Sequence, residues 1–339
     1  MTSFFFMRSS VPPLLRKDGA PGFAVGAMVS QTRGPSPTAQ DDKAFFLVVA
    51  VVRQTRGPSL RFFEGGVLAV TAVQQIRRMR GGAQSHLMLG SDGELWVVKF
   101  KNNPQHLRVL ANEMLASRLA EAVGLSVPVS EVVEVSGWLI DNTPGLTIDV
   151  GRERVKCATG LQFGSRFVGG LMPGQLLDYL PEDQLSEVRN LNEFAGMLVI
   201  DKWTGNSNGR QAVFRRKARE RRYSATFIDH GYCFNAGGWN FPDAPLRGVY
   251  ARNIAYKDVD GWESFSPWLE RVETIDAQTV WRIAEEVPPE WYGGDISEME
   301  QLIEKLLSRR GRVRELIVQF RESARRPMPK WGEVVGMGV

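Results

Sequence analysis

The chain has 339 residues, 43% of them hydrophobic and 24% charged, with a net charge of +4. That balance belongs to a globular protein with a sizeable core and excludes a fibrous or wholly disordered chain. The charge excess is too mild to imply nucleic acid or a membrane as partner by itself.

Residues 1–66 carry scattered Gly, Pro, Ser and Arg with no sustained period, and the hexapeptide QTRGPS occurs there twice, at Gln31–Ser36 and Gln54–Ser59. A short binding repeat and an unstructured leader are the two readings, and the composition favours the leader. The apolar run Ala44–Val52 falls far short of the roughly 20 residues that cross a bilayer. The opening MTSFFFMRSS lacks the ordered regions of a secretory signal, so no membrane anchor is expected.

Regular structure is expected from Val67, with Val67–Arg80 leading into the turn Gly81-Gly82-Ala83-Gln84-Ser85. His86–Leu89, the turn Ser91-Asp92-Gly93 and Glu94–Phe100 read as a hairpin. Between Gln105 and Val123, Leu107, Leu110, Ala111, Met114, Leu115, Leu119 and Ala122 recur at helical spacing, and Gly124 ends the helix. Strands are expected at Glu131–Val135, Gly137–Ile140 and Leu161–Val168. Helical sequence follows over Gln175–Trp203, then a short strand at Ala225–Ile228. Helices over Asp276–Val287 and Ile296–Ser323 complete the pattern. Strands first and helices afterwards predict an α+β fold, with a small sheet lobe (67–168), a larger helical lobe (169–325) and a flexible tail (326–339).

Cys157 and Cys233 lie far apart, and they and His86, His106 and His230 show no zinc-ligand spacing. A protein-built transition-metal site is not expected, and a reducing cytoplasm is the expected compartment.

Four features carry chemistry. The glycine turn at 81–85 lets backbone N–H groups approach phosphate oxygens, or merely joins two strands. Lys99 interrupts an apolar strand, pointing to solvent or to a bound anion. Glu113, on the next helix, sits at the edge of the apolar face, where it fixes a lysine head or is an ordinary surface charge. Finally, the polar segment Asp201–Gln211 precedes Phe227-Ile228-Asp229-His230-Gly231 by about 20 residues. In this order they suit phosphoryl transfer, which needs positioning groups and oxygens for Mg²⁺.

GGAQS, WVVKF, NEMLASRLAEAVGL, DKWTGNSNGRQAVF and FIDHG together resemble HipA-like kinases and, more distantly, type II phosphatidylinositol 4-kinases. The resemblance spans roughly 75–270 and implies a bilobal kinase fold that binds ATP and Mg²⁺. By that analogy Gly81–Ser85 covers the phosphates, Lys99 contacts them and Glu113 pairs with Lys99. Asp229 binds the metal, and Gln162–Arg166 forms the hinge beside adenine. The implied activity is transfer of the γ-phosphate to a protein Ser/Thr hydroxyl.

The departures matter. Asn206 matches the first position of the family's catalytic loop, but Asn208 stands where its catalytic aspartate is expected, and Val213 where its metal-binding asparagine is expected. An amide accepts no proton as a carboxylate does, and valine ligates nothing. Gln211 is a candidate replacement oxygen. Asp201 either replaces the lost charge or holds the loop, with the second role preferred. The alternative function is a degenerate kinase fold that binds nucleotide or a partner protein without catalysis. Of the remaining features, the basic run Arg215–Arg222 reads as the tip of a hairpin, and Arg247 and Arg252 as solvated charges. Asn235–Tyr250 is either a substrate-facing segment or a packed irregular loop.

Overall fold

A computed structural model describes residues 69–169, 176–217 and 219–332; the leader expected over 1–66 lies outside them. The first strands are β1 (Val70–Arg78), β2 (His86–Gly90) and β3 (Leu95–Lys99), followed by helix α1 (Val109–Ala122) and strand β4 (Ser130–Val135). Next come α2 (Gly137–Asp141), the hairpin β5 (Thr147–Val150) and β6 (Glu153–Lys156), and β7 (Gly160–Arg166). The remainder holds β8 (Leu176–Leu177), α3 (Glu182–Leu185), α4 (Glu193–Trp203), β9 (Gln211–Arg215) and β10 (Ser224–Ile228). Helices α5 (Trp268–Thr274), α6 (Ala277–Glu285), α7 (Ile296–Arg309) and α8 (Val313–Arg321) end the order. The α+β expectation holds: strands dominate before residue 170 and helices after it.

Five strands close into a barrel in the order β1-β2-β3-β7-β4, with β1 and β4 parallel where the barrel closes. Closure leaves no unpaired edge. Trp96, Val98 and Met88 of the antiparallel β2–β3 pair fill it together with Phe100, Val133 and Ile148. A larger apolar cluster joins α1, α4 and the later helices, with Trp203, Phe194, Phe227, Trp291 and Phe320 fully buried. Helix α1 is covered on nearly every side, which is why even Asn112, Glu113 and Ser117 are buried on it. Gly124, at φ +84°, ends that helix as expected, a backbone angle that glycine takes without a Cβ penalty.

Some local expectations change. Gly137–Ile140 is a helical turn and not a strand, because the Ser136 hydroxyl accepts a hydrogen bond from Leu139 N at 3.1 Å and caps it. The stretch expected to be helical from Gln175 opens with β8, and its long helix starts only at Glu193. The helix expected over Ile296–Ser323 breaks into α7 and α8 at the 3₁₀ turn Arg310–Arg312, where Gly311 weakens it. Met328 is buried and Trp331 packs edge-on to Trp262 at 4.9 Å, so packed chain continues beyond residue 325. Among the described residues no helix is long and apolar enough to cross a membrane.

Candidate active site

The glycine turn joins β1 to β2. Gly81 has φ +112° and Gln84 φ +48°, and the turn closes through Gln84 N to Gly81 O at 3.1 Å. Asn103 steadies it by donating to Ala83 O at 2.7 Å. Gly81, Gly82, Ala83 and Ser85 line a cleft of about 200 Å³ whose floor holds Lys99, Glu113 and Asp229. Register places the other walls. Lys99 of β3 faces Phe163 of β7 and Val97 faces Ser165, while Gln211 of β9 pairs with Ile228 of β10, directly beside Asp229.

The Lys99 ammonium bridges two carboxylates, ion-paired to Glu113 and 2.8 Å from Asp229 Oδ1. Glu113 also accepts the N–H groups of His230 at 3.0 Å and Gly231 at 2.8 Å, so both its oxygens are committed. A Cβ on Gly231 would lie 3.0 Å from Glu113 and 2.7 Å from Val109, so the approach requires glycine. Burial alone would push the Lys99 ammonium down, but Glu113 and Asp229 outweigh it and hold the group above its ordinary value. Burial likewise works against an ionised Asp229, yet the Lys99 charge and hydrogen bond draw its carboxyl down to about 2. At neutral pH the cleft floor therefore holds a charged lysine and an ionised aspartate.

Asp229 itself adopts φ +64°, unusual for a residue with a Cβ. Arg210 holds it there, donating through Nη1 to the carbonyls of Ile228 at 2.8 Å and Asp229 at 3.2 Å. The same guanidinium pairs with Asp201, Nε to Oδ2 at 3.0 Å, with both side chains only 1% exposed. Asp201 Oδ1 also accepts from Asn206 Nδ2 at 2.9 Å. Asp201 therefore occupies the loop-holding position, beneath the loop and outside the cleft.

The sequence candidates divide accordingly. Gly81, Gly82, Ala83, Ser85, Lys99, Glu113, Gln211 and Asp229 come together at one cleft. Gln84 turns away, bonding Arg78 and both backbone groups of Asp149. Gln162 also leaves the cleft: its amide accepts from Lys101 N at 2.8 Å and donates to Ala158 O at 3.1 Å, tying two loops behind β7. Phe163, Ser165 and Arg166 of the expected hinge line the cleft instead, with Phe167 and Val168 just beyond it. Asn206 is buried against Asp201. Asn208 is exposed, its Oδ1 accepting from the neighbouring Gly209 N at 2.9 Å. Val213 lies on the cleft wall.

Two contributors had little signal in the sequence. In the sequence Arg210 is one residue of the polar segment Asp201–Gln211 with nothing to set it apart. Asn112, beside Glu113, donates to the carbonyls of Gly231, Cys233 and Ala236 and accepts from Trp239 Nε1 at 2.8 Å, fixing the chain just after Asp229. A polar side chain on a helix face that is otherwise apolar was the available clue. His230 also lines the cleft, fully buried, with no partner for either ring nitrogen among the described residues. Burial, with Arg210 nearby, holds it well below its ordinary value and so neutral.

The family model for HipA-like kinases matches residues 72–314. The chain belongs to the HipA-like kinase family. A comparison with curated proteins finds no match. Among solved structures, the proinflammatory kinase CtkA of Helicobacter pylori is 13% identical with a TM-score of 0.42, over 71% of this chain and 98% of its own. The Golgi casein kinase is 11% identical at 0.42, over 76% and 74%. HipA of the Shewanella oneidensis MR-1 toxin–antitoxin system is 12% identical at 0.38, over 74% and 68%.

Proposed function

We propose that this chain is an ATP-dependent, two-lobed kinase that passes the γ-phosphate to a protein Ser/Thr hydroxyl. The observation that carries the reading is the convergence of Lys99, Glu113 and Asp229 on the floor of one cleft beneath the Gly81–Gly82 turn. Glu113 orients the Lys99 ammonium, which presents a fixed positive charge to phosphate oxygens. The turn offers backbone close to the same oxygens. The donor set in the cleft fits Mg²⁺, which takes one or two carboxylates and completes its shell with water and phosphate oxygens. Asp229 supplies the carboxylate. The Gln211 amide lies 2.7 Å from Asp229 Oδ2, and a turn of that amide presents its oxygen. Mg²⁺ held there would neutralise charge on the transferred group.

A second reading has its own observation. Asn208 stands where the family's catalytic aspartate is expected and spends its oxygen on Gly209 N. Among the described residues, Glu113 and Asp229 are the carboxylates lining the cleft, and both are engaged. Such a site binds nucleotide with no carboxylate free to accept the hydroxyl proton. Positioning and charge neutralisation carry most of phosphoryl transfer, so the enzyme reading is preferred. Incubation of the full chain with Mg²⁺ and γ-labelled ATP separates them, alongside Lys99→Ala, Asp229→Ala and Asn208→Asp. Label on Ser or Thr in the wild type, lost in the first two variants, supports the kinase. Nucleotide binding without label, with label gained only in Asn208→Asp, supports the binding protein. Binding untouched by Lys99→Ala and Asp229→Ala refutes the site.

A further inference from the structure

Strands β9 and β10 form an antiparallel hairpin whose base and tip differ sharply in character. At the base, Gln211 and Asp229 enter the cleft. At the tip, Arg215, Arg216, Lys217, Arg219, Arg221 and Arg222 are all exposed. These eight positions, 215–222, carry six cations and one carboxylate, a net +5. The whole chain carries +4, so everything outside this tip sums to −1. Residues 1–66 carry a further net +4, so the rest of the chain sums to −5 and the tip is a positive spur on it.

Within the structure this charge is left uncompensated. Glu220 is the tip's one carboxylate, and it faces Arg189 at 3.5 Å, a flanking cation on another segment. Among the described residues, none of the six tip cations forms an ion pair, although twenty pairs occur elsewhere or at the flank. Like charges crowded on a hairpin repel one another, so the arrangement stores a preference for an anionic partner.

We propose that the tip of the β9–β10 hairpin is a docking surface for an acidic protein segment. That this partner is also the phosphate acceptor rests on the kinase reading above. Nucleic acid fits less well. Stacking platforms need open aromatic faces, and the neighbouring Tyr223 is buried, its ring covered by Arg216 at 4.6 Å. A membrane surface also fits less well, since among the described residues none of the large exposed apolar side chains lies in the hairpin. Geometry adds a spacing. Five residues of β10 separate tip from Asp229, about 17 Å at about 3.3 Å per residue. An extended peptide spans that distance in about six residues, so the acidic segment sits at least that far from the hydroxyl that enters the cleft.

The test uses the full-length chain and a fluorescein-labelled Glu/Asp-rich 15-residue peptide, followed by anisotropy at low and physiological salt. Wild type is expected to bind saturably, with binding weakened by salt. The variant Arg219→Glu, Arg221→Glu, Arg222→Glu is expected to bind about tenfold or more weakly. A control with the same change of net charge, Arg152→Glu, Arg282→Glu, Lys305→Glu, is expected to keep wild-type affinity. Asp229→Ala is also expected to keep it, so failure of the catalytic reading leaves this result standing. No binding by wild type overturns the proposal. So does equal loss in the tip variant and the control, which would mean net charge alone. Tighter binding of a DNA duplex or single-stranded RNA than of the peptide overturns it as well.

Discussion

Removing the Asp201 carboxylate should unfold this protein more than it should slow any chemistry. Asp201 and Arg210 are each 1% exposed and meet through Nε and Nη2, with Asn206 completing the aspartate's shell. In Asp201→Ala the guanidinium stays buried, tied to the carbonyls of Ile228 and Asp229, with no other ion pair among the described residues. Stranding one partner of a buried pair costs about 3–5 kcal/mol. Typical domains have only about 5–15 kcal/mol in total. For a chain of this size that corresponds to a fall in Tm of roughly 5–9 °C. Arg210→Met should lose a similar amount, with release of Asp229 from its positive φ as a further effect. The double variant Asp201→Ala, Arg210→Met should lose well under the sum, because it strands no charge. Urea unfolding at pH 7 on the four proteins measures the cycle. If Asp201→Ala stays within about 1 kcal/mol of wild type, or the two single losses simply add, the loop-holding role is refuted. An unchanged unfolding curve with abolished phosphoryl transfer would instead make Asp201 a catalytic residue.

Three further outcomes follow from the same geometry. Gly231→Ala places a Cβ 2.7 Å from Val109 and 3.0 Å from Glu113. It should lower stability by about 1–3 kcal/mol and weaken nucleotide binding, as read by unfolding and calorimetry. The Asp229 carboxyl titrates at about 2 in the fold, below its unfolded value, so its stabilisation is present above about pH 4 and lost as pH falls through 2. Wild type should therefore exceed Asp229→Asn by about 2 kcal/mol at pH 5, a gap that shrinks toward pH 2. Burial brings Lys202 down to about 8 while its ammonium donates to Pro245 O and Arg247 O at 2.7 and 2.6 Å. A depressed lysine is neutral in the fold while still charged unfolded, so wild type should gain stability relative to Lys202→Met from pH 8 to about 10.5. A gap that is flat or narrows over that range would contradict it.

The parts of this architecture that were legible in the sequence are those set by local rules. Period-two runs with an Asp-Gly turn marked β2 and β3, and the spacing of Leu110, Met114 and Leu119 marked α1, with Gly124 as its stop. The site's charged members were legible because a lysine in WVVKF and an aspartate closing an apolar strand violate those patterns. What stayed hidden depends on long-range contacts. Gln84 and Gln162 sit in the right segments, but the β5–β6 hairpin and the loop at 101–102 draw their amides away from the cleft. The two strands of that hairpin carry charge-rich, short runs with no clear period, so nothing local announced them. Arg210 shows the same limit. Only the fold brings the carbonyls of Ile228 and Asp229, 18 and 19 residues away, onto its guanidinium. The basic run was readable as a hairpin tip, whereas its position at the far end of the strands that carry Gln211 and Asp229 was not.

Calorimetric titration of the full chain with a non-hydrolysable ATP analogue, with and without Mg²⁺, tests the proposed phosphate site at Lys99, Glu113 and Asp229 most directly. Wild type should bind, and more tightly with the metal. Lys99→Met should lose at least about tenfold in affinity, the loss of one charge-assisted contact or more, and Asp229→Asn should lose the metal dependence. Circular dichroism on each variant confirms that it is folded. Folded variants that bind the analogue as wild type does, with the metal effect intact in Asp229→Asn, would contradict the account.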